Sequence, residues 1–73
     1  MNNISEPIAV QVNGTPQLCP QGTTLPQLLI QLEMDPRLVA VEYNGEIVHR
    51  QFWDTTVMQT GDRLEVVTIV GGG

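Results

Sequence analysis

The 73 residues suffice for one domain, which excludes activities that need two lobes to close over a substrate. Eight acidic residues against three arginines and no lysine leave a net charge of -5, so the clustered basic footprint that nucleic acid or an anionic membrane surface requires is absent. Cys19 and His49 are the only residues of their kinds, which rules out an intrachain disulfide and a structural zinc site of cysteines and histidines.

An acidic chain suits enzymes with basic docking faces, although charge alone selects no partner. Residues 1–10 contain no basic charge and no long apolar stretch, and no run approaches the roughly 20 apolar residues of a membrane span. A cytoplasmic, reducing compartment is the expectation.

Residues 1–7 form a polar lead-in ending at Pro7. Ile8, Val10 and Val12 then alternate with Ala9 and Gln11, the period of a strand with one face buried. Asn13-Gly14 favours the positive φ angles of a type I′ turn, so Thr15 to Cys19 should return antiparallel. Pro16, lacking an N–H, assigns that second strand to a sheet edge.

Thr24 and Gln27 have the spacing of a capping box, with Pro26 tolerated in the first turn of the helix that follows. Leu25, Leu28, Leu29 and Leu32 share an arc of about 100°, wide enough for a core-facing stripe. Ile30 falls off that stripe, toward a neighbouring loop. Asp35-Pro36 should end the helix, because proline disfavours α geometry before it.

Val39, Val41 and Tyr43 alternate with Ala40 and Glu42, and Asn44-Gly45 marks a second hairpin, returning through Glu46, Ile47 and Val48. Periodicity is lost between His49 and Asp62, where Phe52-Trp53 is expected to enter the core from a short helical turn or loop. Gly61-Asp62 turns into a last strand, Arg63 to Val70, rich in β-branched residues. The pattern is α+β: a helix across one face of a mixed sheet, folded over residues 8–70, followed by a glycine tail at 71–73. Local pattern does not determine which strands are neighbours.

Gly71, Gly72 and Gly73 have no side chains to bury and should form a mobile arm. One reading is a frayed terminus or a linker remnant. The other is functional. A side-chain-free arm ending in a carboxylate fits a narrow tunnel, and that carboxylate, ionised at neutral pH, becomes reactive once ATP converts it to an acyl-adenylate.

The segments Val39 to Val48, His49-Arg50 with Trp53, Gly61-Asp62-Arg63-Leu64-Glu65-Val66-Val67 and Val70-Gly71-Gly72-Gly73 resemble the thiamine-biosynthesis sulfur carrier family, ThiS. Val12-Asn13-Gly14 and Thr24-Leu25 with Leu28-Leu29 agree with it, and the likeness covers most of the chain. A Gly-Gly terminus alone is weakly specific; joined to the Asn-Gly-Glu-Ile-Val and Gly-Asp-Arg segments, it is strong.

The resemblance implies a β-grasp, ubiquitin-like roll with the first and last strands side by side and parallel. It also implies that Gly73 is the adenylation and thiocarboxylation site, with Gly72 and Gly71 giving it access. An E1-like adenylyltransferase would use ATP to activate the carboxylate. A cysteine desulfurase or sulfurtransferase would supply the sulfur, and thiazole synthase would receive it. The chain would bind no cofactor or metal, be a monomer when free, and act as a protein co-substrate rather than an enzyme.

Other residues are weighed as structural. Cys19 has no neighbouring base, His49 reads as a solvated surface residue, Phe52 and Trp53 as core fillers, and Asp62-Arg63 as turn chemistry plus a surface pair. Three alternatives remain open: a carrier for molybdopterin synthase, a modifier forming isopeptide bonds, and a non-covalent β-grasp interaction module.

Overall fold

Two asparagines in left-handed backbone geometry set up the sheet. In the computed structural model, which describes residues 6–69, β1 (Ile8–Val12) reaches Asn13 at φ 54° and Gly14 at φ 83°, and β2 (Thr15–Cys19) returns antiparallel from Val12↔Thr15 to Ile8↔Cys19. Both positive angles are those of a type I′ turn, whose twist matches the flanking strands. β2 lies at the outer edge, as Pro16 requires.

The helix α1 (Leu25–Gln31) starts with the expected capping box. Thr24 Oγ1 accepts from the Gln27 N–H at 3.4 Å and Gln27 Oε1 accepts from the Thr24 N–H at 3.0 Å, so both free donors are satisfied. Its end differs from expectation. The helix stops at Gln31, before Asp35-Pro36, because Glu33 turns left-handed at φ 62° while its N–H donates to Ile30 O and the Met34 N–H to Leu29 O. That pair of bonds is a Schellman closure with glutamate in the place usually taken by glycine. Asp35 instead opens a 3₁₀ turn, Pro36–Leu38, its carboxylate accepting from the Arg37 N–H at 2.9 Å.

β3 (Val39–Tyr43) passes through Asn44 and Gly45, both at positive φ, to the two-residue β4 (Glu46–Ile47), and β5 (Arg63–Thr68) completes the sheet. The strand order is β2-β1-β5-β3-β4, with β5 parallel to β1 and antiparallel to β3. The β-grasp arrangement is therefore present, with the first and last strands adjacent at its centre.

One face of this sheet is covered. Val10, Val12, Val41, Leu64 and Val66 meet Leu25, Leu28 and Leu29 of α1, with Trp53 and Met58 closing the sides. The three leucines are fully buried, each stabilising the fold by on the order of 2 kcal/mol through the apolar area removed from water. Trp53 enters this core from a 3₁₀ turn, Arg50–Thr55, and its Nε1 donates to Val48 O at 2.9 Å. One expectation fails: Phe52 stays 52% exposed because the 3₁₀ turn directs consecutive residues to different sides, whereas Ile30 lies off the core-facing stripe as expected, at 64% exposed.

Candidate functional site

The expected site residues Gly71, Gly72 and Gly73, with Val70 before them, lie outside the described residues, as do residues 1–5. What the structure describes is the base from which they extend. From Ile69 to Gly73 is four residues, a reach of at most roughly 14 Å.

That base belongs to β5, the middle strand. Beyond the pair Val39↔Thr68, the Ile69 N–H donates to Leu38 O at 2.6 Å. Leu38 ends the 3₁₀ turn that starts at Pro36, and the Arg50 side chain lies against the same turn, its guanidinium 4.7 Å from the centre of the Trp53 ring.

On the uncovered face, Ala40 stands opposite Val67 and Glu42 opposite Glu65, with Ile47 across from Glu42 on the other side. Ile47 and Val67 are exposed, so an apolar patch and two carboxylates sit beside the strand that leads to the tail. Like charges directly opposite one another on antiparallel strands oppose pairing. A cation on a docked partner would offset that repulsion.

The two turn asparagines hold β5 from both sides. Where β1 turns away, the Asn13 side chain takes over the ladder: Oδ1 accepts from the Val66 N–H at 2.7 Å and Nδ2 donates to Val66 O at 3.1 Å. On the opposite side, the Asn44 N–H donates to Arg63 O at 2.7 Å and its Oδ1 accepts from the Arg63 N–H at 2.8 Å.

Asp62 is not the surface partner of Arg63. It is 7% exposed, and its carboxylate accepts from the Tyr43 hydroxyl, from the Gln59 N–H at 2.6 Å and from Asn44 Nδ2 at 3.2 Å. Burial first, and then the hydrogen bond to Asp62, push the Tyr43 hydroxyl up to about 12. Arg63 is exposed, and Arg37–Asp35, at 2.9 Å, is the only ion pair among the described residues. The Arg37 side-chain hydrogen bond holds the Asp35 carboxyl down at about 2.

Cys19 is buried in the core, and burial pushes its thiol pKa up, away from the thiolate a relay would need. His49 is exposed at the start of the Arg50–Thr55 turn. Among the described residues there is no cluster of three or more metal-ligating side chains, and no helix is long and apolar enough to cross a membrane. The carbonyl contacts of Arg50 and the burial of Asp62 are not written in their residue types; the only signal for either is that both lie in segments that carry the family resemblance, His49-Arg50 with Trp53 and Gly61 to Val67.

The ThiS family model matches residues 10–73, nearly the whole chain and its terminal glycines. The chain belongs to the ThiS family. Among its relatives, the sulfur carrier protein ThiS of Escherichia coli is 31% identical over 61 residues, covering 84% of this chain and 92% of that protein. A thiazole synthase of Magnetococcus marinus is 42% identical over 64 residues, 88% of this chain but only 20% of that longer protein. The crystal structure of the thiamine biosynthesis protein ThiS from Geobacter metallireducens superimposes with a TM-score of 0.78 at 32% identity, covering 90% of this chain and all of the other. The ThiS fold thus agrees with the sheet order and helix described above.

Proposed function

We propose that this chain is the sulfur carrier of thiazole formation in thiamine biosynthesis, working through the carboxylate of Gly73. The observation that carries the reading is the family match reaching residue 73, on a fold whose central strand runs directly toward that end. An E1-like adenylyltransferase joins the carboxylate to AMP, with pyrophosphate leaving. A persulfide from a cysteine desulfurase or sulfurtransferase attacks the activated carbonyl and displaces AMP, and cleavage of the resulting S–S bond by a thiol reductant leaves the thiocarboxylate.

The chain binds no cofactor in this scheme, and ATP is consumed by the activating partner. Residues 1–7 are an extension, 8–70 the β-grasp domain and 71–73 the tail, which Gly71 and Gly72 keep narrow enough for the partner's active site. The free protein is a cytoplasmic monomer and a co-substrate rather than an enzyme. Similarity to a segment of a thiazole synthase favours that enzyme as the recipient over molybdopterin synthase. The patch of Ile47 and Val67 beside Glu42 and Glu65 suits a partner face that is apolar with basic residues at its rim.

Deleting Gly72 and Gly73 tests this. Trp53 fluorescence and the thermal midpoint should be unchanged, since the core side chains and the strand pairings all come from residues 8–68, while ATP-dependent adenylation should disappear. Adenylation at the full rate after truncation would reject the carrier reading.

A further inference from the structure

Arg50 makes its contacts with one short stretch of backbone. Nη1 donates to Pro36 O at 2.6 Å, and Nη2 donates to Arg37 O at 3.2 Å and Val39 O at 3.1 Å. Its planar group faces the ring of buried Trp53, so the cation is braced from behind by a side chain anchored in the core. Three of the four carbonyls from 36 to 39 therefore converge on one guanidinium. The fourth, Leu38 O, accepts the Ile69 N–H at 2.6 Å.

That bond is a half-rung. In an antiparallel ladder the two residues of a bonded pair exchange both N–H groups, but the Leu38 N–H is already donated to Asp35 O at 2.9 Å inside the 3₁₀ turn. The hold on Ile69 depends on where Leu38 O points, and the carbonyls on either side of it are held by Arg50.

We propose that Arg50 is a positioning residue for activation of the C-terminus: by gripping the carbonyls of Pro36, Arg37 and Val39 it aims Leu38 O at the Ile69 N–H and fixes the point from which the terminal glycines extend. This rests on the carrier reading above. With the half-rung closed, the carboxylate is four residues from a fixed point. With it open, the fixed point retreats into β5, and the share of tail conformations that bring Gly73 to the partner's nucleotide falls. Lysine cannot replace Arg50 fully, because one ammonium lacks the planar fork that spans several carbonyls and stacks on an indole.

The test uses the full chain with Arg50→Gln. Amide exchange at Ile69 should accelerate about tenfold, while the Gln11, Asn13 and Val66 amides at the β1–β5 seam keep their wild-type rates. With the activating enzyme, kcat for adenylation should fall about fivefold and KM stay within about twofold, because the docked face is intact and only the tip is misplaced. Arg50→Lys should recover part of the loss. Ile69→Pro, which deletes the donor itself, should reproduce the kcat loss, and adding Arg50→Gln to it should change nothing further.

Unchanged Ile69 exchange in Arg50→Gln, or losses that add in the double variant, would overturn the proposal. If Arg50→Gln also accelerates exchange at the seam, Ile69→Pro decides: reduced kcat at constant KM supports the anchor, and wild-type kinetics sinks it. Failure of the wild-type chain to be adenylated would instead strike the carrier reading, leaving the exchange result to judge the anchor.

Discussion

Replacing Asn13 separates two roles carried by one side chain. Its backbone sits at φ 54°, and its amide group makes two hydrogen bonds to the Val66 main chain, at 2.7 and 3.1 Å. Asn13→Gly keeps the turn relaxed and removes both bonds, a loss of about 2 kcal/mol at about 1 kcal/mol net for each. Asn13→Ala removes the same bonds and also places a β-carbon in left-handed geometry, which adds about 1 kcal/mol and brings the total to about 3 kcal/mol. Urea unfolding followed by the fluorescence of the single tryptophan, Trp53, gives both numbers. In thermal unfolding each kcal/mol should appear as a fall of about 4–8 °C in Tm for a domain of this size. If both variants unfold within about 0.5 kcal/mol of wild type, the side-chain rung has no energetic weight. If alanine is no worse than glycine, the φ argument is wrong.

Glu33→Gly should stabilise the fold by about 1 kcal/mol, because glycine occupies φ 62° without the β-carbon penalty; a lower urea midpoint would contradict the Schellman assignment. Tyr43 is the single tyrosine, so phenolate absorbance reports it alone. It should titrate near 12 in the folded protein and at about 10 in urea. Since folding raises this pKa, the associated stability is fully present below about pH 10 and is lost as pH rises toward 12. Tyr43→Phe should flatten that alkaline limb, and a native titration at about 10 would remove the basis for it.

The hairpins were legible because Asn-Gly specifies a backbone geometry within two residues, and the helix start because Thr24 and Gln27 satisfy each other locally. Its end was not. Glu33 adopts a conformation for which no glycine signals, and Asp35-Pro36 offered a more familiar stop. Phe52 and Trp53 are equally apolar on paper; only the 3₁₀ turn decides which of them is covered. The neighbours of β5 are set by pairings far apart in sequence, across more than fifty residues to β1, as at Gln11↔Arg63, and across more than twenty to β3, which local periodicity cannot register; the family resemblance anticipates the first of them. At the site, the glycines could be read from composition. Their support could not, since Arg50 binds main-chain carbonyls, which every sequence has, and Asp62 is buried by donors contributed from positions 43, 44 and 59.

The order β2-β1-β5-β3-β4 leaves the two hairpins without a shared edge. Each can close locally within about 1–10 μs, yet neither can recruit the other until the strand at 63–68 slides between them. Joining the hairpins therefore needs two closures of unequal length, β5 onto β3 across 21–29 residues and β5 onto β1 across 52, and the longer one carries the larger entropic cost. The insertion that makes the domain whole also seats Ile69, so a molecule that has not finished folding has nowhere to aim its tail.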